Sequence, residues 1–232
     1  MKSLLIARFE FFLYTVNWDS SSLSVSRSST DYSLENDIMA DKFENTIHKG
    51  LHQYLVGIGK VDERLPECPD VTDKWESIGQ SYIPDGAREY RDYPVASLGW
   101  MMYIGMAVAK LWEWGCLRPP HGGQREKTSD APIDEYSQIE DLYVYMRDKR
   151  GYDSLDEYIC EDVLMVRGEE YEDLAQVVSE CATRVNFDLI REQIEPGTKE
   201  AFDAYVTCLR QLYLFGMAMQ LKRMGYHMER VK

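Results

Sequence analysis

The stretch Pro94–Gly115, PVASLGWMMYIGMAVAKLWEWG, decides the fold. Between Val95 and Trp114 only Ser97, Lys110 and Glu113 are clearly polar, so a helix here would be apolar on nearly every side and must lie at the centre of a core. Pro94 suits a first helical turn, where its missing N–H removes no helix bond, and Gly115 suits the left-handed position just past the end. The fifteen residues from Val95 to Ala109 precede Lys110, whereas a bilayer span needs about 20 apolar residues, so a buried helix is expected and no membrane partner.

Helical periodicity continues on both sides. Phe43, Ile47, Leu51, Tyr54 and Ile58 form one stripe, predicting a helix over Asp41–Gly57. Beyond Cys116–Pro132, which reads as a long polar loop, a helix is expected over about Asp134–Arg150, closed by Gly151. Ser154 with Glu157 spells a capping box ahead of Leu155, Tyr158, Ile159, Val163 and Val166, with Gly168 as its stop. Glu169, Glu170, Glu172 and Asp173 suit the positive end of a further helix that runs to Pro196-Gly197. Thr198 caps the last, which carries Phe202, Tyr205, Leu209, Leu212, Gly216 and Met219 and finishes near Gly225. The expected architecture is all-α, a bundle of about six helices formed by residues 39–232 as a single domain.

Residues 1–38 differ from the rest. MKSLLIARFEFFLYTV is interrupted by Arg8 and Glu10 and lacks a clear cleavage site, which disfavours a secretory signal. Seven serines in the ten positions from Ser20 to Ser29 cannot bury enough surface to order the segment. A disordered leader is expected, or a chain whose true start is Met39.

Two long helices echo one another. Gly105-Met106-Ala107 and Gly216-Met217-Ala218 are 111 residues apart, each with a leucine seven residues earlier, Leu98 and Leu209. Phe43, Ile47 and Leu51 match Leu155, Ile159 and Val163 at an offset of 112. Two loosely similar halves would leave this pattern. Independently of ancestry, a glycine on each apolar stripe costs a helix about 1 kcal/mol and is expected to let the two backbones approach.

Charge and cysteine usage bound the function. The net charge is −14, and Asp134–Glu195 holds 18 acidic and 6 basic residues, a flank of −12. Such a field repels phosphate backbones and steers basic proteins, so no nucleic-acid partner is expected. Five scattered cysteines without a Cys-x-x-Cys pair argue against disulfide or zinc frameworks and for a reducing, cytoplasmic setting. No phosphate loop, nucleophile elbow, dinucleotide fingerprint or His-Glu-x-x-His helix is present, and no cofactor is expected.

Two groups of residues remain as site candidates. The segment from Lys60 to Tyr93, broken by Pro66, Pro69, Pro84 and Asp85-Gly86, reads as mostly irregular with one short helix around Thr72 to Gly79, and its Trp75, Arg88, Tyr90, Arg91 and Tyr93 are candidates for a binding surface. Glu44, His48 and His52, spaced by four, share one helical line beside the apolar stripe and are candidates for a metal site. The leading expectation is a non-catalytic interaction or scaffold module that holds a protein partner, or a second copy of itself, through the acidic flank or the aromatic-arginine segment. The alternative is a helical-bundle small-molecule binder or metal-dependent enzyme, with a pocket between the central and last helices walled by Met101, Met102, Met106, Met217 and Met219.

Overall fold

The computed structural model describes residues 30–114, 139 and 141–227, with residues 30–40 described by their backbone alone. Every regular element among them is helical, as the periodicity predicts. In chain order they are α1 (Thr30–Gly57), the single turn α2 (Pro69–Thr72), α3 (Trp75–Tyr90), α4 (Pro94–Glu113), α5 (Leu142–Arg150), the short α6 (Leu155–Tyr158), α7 (Glu169–Arg191) and α8 (Lys199–Arg223).

Helix α4 is the hub. From Ser97 to Leu111 every residue is buried except Trp100 and Lys110, which are half-buried. Among the described residues it alone is long and apolar enough to cross a membrane, but its surface is spent on neighbouring helices. Its principal partner is α8, and α7, α3 and the α6 segment close over its other sides. The α4–α8 crossing occurs at the two glycines. A Cβ on Gly105 would lie 2.2 Å from the Tyr213 carbonyl oxygen, and one on Gly216 would lie 2.1 Å from that of Met102. The contact is reciprocal, since each glycine rests on the carbonyl three residues before the other. Beyond this crossing the halves diverge. Helix α1 is continuous for 28 residues, whereas its expected counterpart is a 3-10 turn (Tyr152–Ser154), one α-turn and a π-turn (Ile159–Val163).

Several boundaries differ from expectation. Helix α1 starts at Thr30 rather than Asp41. Helix α5 starts at Leu142, because Asp141 is its N-cap and accepts the Val144 N–H at 3.0 Å. In place of the short helix expected around Thr72 to Gly79, the segment contains the 16-residue α3, with Pro84 inside it. Ile78, Tyr82, Gly86 and Tyr90, one turn apart, are buried along one face, and this burial outweighs the one backbone bond that proline cannot make. Gly86 is required there, because a Cβ would lie 2.8 Å from the Tyr205 hydroxyl and 2.5 Å from the Tyr82 ring.

The Ser154–Glu157 capping box is not formed, and Ser154 makes no side-chain cap bond. Gly168, with φ of 62°, opens α7 instead of stopping the preceding helix. Thr198 does cap α8, its Oγ1 accepting the Ala201 N–H at 3.2 Å. Thr198→Ala should therefore lower stability by about 1 kcal/mol in urea unfolding, and Ser154→Ala by only a few tenths. Equal losses would show that these two caps are wrongly assigned.

Candidate functional site

A polar concavity forms where α3 meets α5. Helix α3 turns Tyr82 and Gly86 inward, which leaves Asp85 and Arg88, three residues apart, at its edge. On α5, Tyr143 and Arg147 are four apart and so share the face that meets α3. Asp85 joins them. Its Oδ2 accepts the Tyr143 hydroxyl at 2.6 Å and Arg147 Nη1 at 3.0 Å, and its Oδ1 accepts Arg88 Nη2 at 3.0 Å. Burial alone would raise the Asp85 carboxyl, but the Tyr143 hydroxyl and the two guanidiniums hold it below the ordinary carboxylate range. The Arg147 guanidinium is held firmly charged by its bonds to Asp85 and Asp148.

Asp85, Arg88 and Arg147 border a cavity of about 460 Å³, completed by Asp148, Gly151 and Tyr152. Arg88 Nη1 and Arg147 Nη2 have no acceptor among the described residues. Gly151, with φ of 86°, makes the sharp turn that brings Tyr152 back beside α5. The Tyr152 ring meets Trp100 edge-on at 4.3 Å, and its hydroxyl is buried without a hydrogen-bond partner. Burial pushes that hydroxyl's pKa upward.

Behind the cavity lies a buried set of hydroxyls. Tyr82 donates to the Ser97 carbonyl, and Ser97 Oγ lies 2.8 Å from the Gly86 carbonyl and 2.9 Å from the Tyr205 hydroxyl. Ser97, the one polar residue in the interior turns of α4, is thus the pin between α3, α4 and α8.

The five predicted surface residues do not form one surface. Trp75 is half-buried against Tyr213, at 5.8 Å between rings, and Tyr90 is buried with its hydroxyl donating to Asn186 at 2.6 Å. Arg91 pairs with Asp92 at 3.0 Å, and Tyr93 is 64% exposed just before α4. Only Arg88 reaches the cavity. Glu44, His48 and His52 run along the α1–α8 seam. Gln211 stands between the first two, donating to Glu44 Oε1 at 2.7 Å and placing its Oε1 3.0 Å from His48 Nδ1. His48 and His52 stack on each other at 6.0 Å, with Phe215 5.1 Å from His48. The Gln211 amide thus bridges Glu44 and His48. Among the described residues no three His, Cys, Asp or Glu side chains are grouped to hold a metal ion.

Asp85, Tyr143, Arg147 and Tyr152 were not singled out by sequence. The available signal was the pairing of Asp85-x-x-Arg88 with Tyr143-x-x-x-Arg147, legible only once Asp85-Gly86 is placed inside a helix. The chain matches no family model, no curated protein and no solved structure.

Proposed function

We propose that this chain is a non-catalytic protein-interaction module that seats a carboxylate of its partner between Arg88 and Arg147. The observation that carries the reading is the pair of guanidiniums fixed on Asp85, each with an unspent Nη group at the mouth of the cavity. A planar guanidinium fork matches a carboxylate in two-point geometry, and arginine recurs among the residues that dominate interface energetics.

The acidic flank has a secondary part. Glu161 and Asp162 pair with Arg150 at 2.8 and 2.7 Å, Glu170 pairs with Arg223 at 2.6 Å, and Glu180 accepts the Tyr54 hydroxyl at 2.6 Å. Part of the flank is thus engaged within the molecule, and its remaining field steers a basic partner toward this side of the chain. The directions in which side-chain pKa values are displaced support a non-catalytic reading. Among the described residues each displaced group moves away from neutrality: burial raises the thiols of Cys160 and Cys181 to about 12, and hydrogen bonds lower Asp62 and Glu180. Proton-transfer catalysts are tuned the other way.

Native mass spectrometry of the protein isolated from its own cells should show a complex with a second protein. Arg88→Glu should weaken it about tenfold or more, and Lys199→Glu, on exposed α8 surface, should leave it intact. A chain without a protein partner, or a complex indifferent to Arg88→Glu, would overturn the reading.

A further inference from the structure

Glu44, His48 and His52, the expected metal ligands, have different parts in the structure. The two imidazoles are four residues apart on α1 and so follow one another along the face that meets α8. Their rings are 6.0 Å apart and within 14° of parallel, with the buried Phe215 ring of α8 at 5.1 Å from His48 and 6.4 Å from His52. His48 is exposed and His52 half-buried, so the pair is open to solvent.

Gln211, 3% exposed on α8, determines which His48 nitrogen can take a metal. A carboxylate only accepts hydrogen bonds, so the Gln211 nitrogen must be the amide atom that faces Glu44 Oε1, at 2.7 Å. The amide oxygen is then turned toward His48 Nδ1, at 3.0 Å, and that oxygen also only accepts. His48 Nδ1 therefore carries the proton, and in the neutral ring the lone pair is left on Nε2. Arg210 Nη1, 3.6 Å from Glu44 Oε1, anchors the far end of this chain of contacts. Metal-binding imidazoles are fixed in the same way, their other N–H donated to a carbonyl or carboxylate that holds tautomer and ring orientation. Glu44 acts through the amide, and the histidines are the ligands.

We infer that His48 and His52 form a two-imidazole site for a divalent transition-metal ion, with water filling the ion's other positions. The same i, i+4 spacing on one helix face supplies two of the zinc ligands in metallopeptidases. Here no glutamate stands between the histidines, and among the described residues no third His, Cys, Asp or Glu joins them as a tetrahedral zinc site would require. The donor set therefore suits Ni²⁺ and Cu²⁺, which take imidazole in tetragonal surroundings, better than Zn²⁺. The site lies on α1 and α8, whereas the Arg88 cavity is built on α3 and α5, and it does not depend on the reading of that cavity.

The probe is Ni²⁺, titrated into the full chain by calorimetry, with long-range ¹H–¹⁵N spectra of the histidine rings in the metal-free protein as a second reading. The expected result is saturable binding that His48→Ala and His52→Ala each weaken about tenfold or more. His121→Ala and His227→Ala, at the two other histidines of the chain, should leave it unchanged. The spectra should show His48 protonated at Nδ1 with a bare Nε2. Gln211→Leu should abolish that single tautomer and weaken Ni²⁺ about tenfold although both ligands remain. His48 and His52 lie outside the core, so their variants keep the test decisive should Gln211→Leu not fold. No saturable binding at millimolar Ni²⁺, or binding indifferent to either histidine, would overturn the site. A bare Nδ1 on His48 would overturn the tautomer on which it is built.

Discussion

Gly105→Leu should prevent the native fold or destabilise it by at least about 3 kcal/mol, the upper end of ordinary overpacking. The reason is the identity of the obstructing atoms. At Gly105 a Cβ would lie 2.2 Å from a backbone carbonyl oxygen of α8 and 3.1 Å from the Met217 nitrogen, and backbone cannot rotate aside as a side chain can. The whole of α8 would have to lift from α4, stripping burial from Leu98, Met101, Leu209, Leu212 and their neighbours. Even Gly105→Ala should therefore fail, as should Gly216→Ala, whose Cβ would meet Met102 at 2.1 Å. Gly57→Ala is the internal control. A Cβ there meets nothing within 4 Å, so the helix gains about 0.5–1 kcal/mol from the better helix former. Thermal and urea unfolding of the four variants measures all of this. A wild-type melting temperature for Gly105→Ala would show that the helices do not cross at these glycines.

That crossing was legible because its signal is local. A helix apolar on nearly every side must be buried, and a glycine on its surface and on the apolar stripe of the last helix, each tolerated despite its helix cost, marks where backbones meet. The Thr198 cap was equally legible, since one hydroxyl three residues before an orphan N–H is sufficient. The same local logic failed at Ser154, where Leu155, Ile159, Cys160, Val163 and Leu164 are all buried. A wider π-turn, with Leu164 and Val166 N–H groups bonding to Ile159 and Cys160, turns them inward, and this tertiary demand outweighs the capping box. It also leaves Met165 at φ of 57° and 61% exposed.

Helix α3 was hidden for a related reason. Pro84 and Asp85-Gly86 are among the strongest punctuation a sequence offers, and only the burial of Ile78, Tyr82 and Tyr90 overrides them. With α3 misread, Trp75 and Tyr90 looked available for recognition, although Tyr90 belongs to the core and Trp75 is half-buried against it. Arg88 was found, but its role depends on Arg147, 59 positions later, and no local pattern links the two.

Asp85→Ala should cost about 2–3 kcal/mol, because one carboxylate serves three donors and its loss strands the Tyr143 hydroxyl and Arg147. The cost stays below that of a fully buried ion pair, since Arg147 retains contact with solvent. Asp85→Asn keeps one acceptor oxygen and should cost about 1 kcal/mol. Acidification gives an independent check. The folded carboxyl titrates below its unfolded value of about 3.9, so the ionised form is favoured in the native state. The stability it contributes is complete above that value and is lost as pH falls through the lower folded pKa. Urea midpoints at pH 6 and at pH 3 should therefore converge between wild type and Asp85→Asn. A gap that persists unchanged at low pH would mean that the Asp85 charge does not hold the two arginines, and the carboxylate-binding pocket would lose its organising residue.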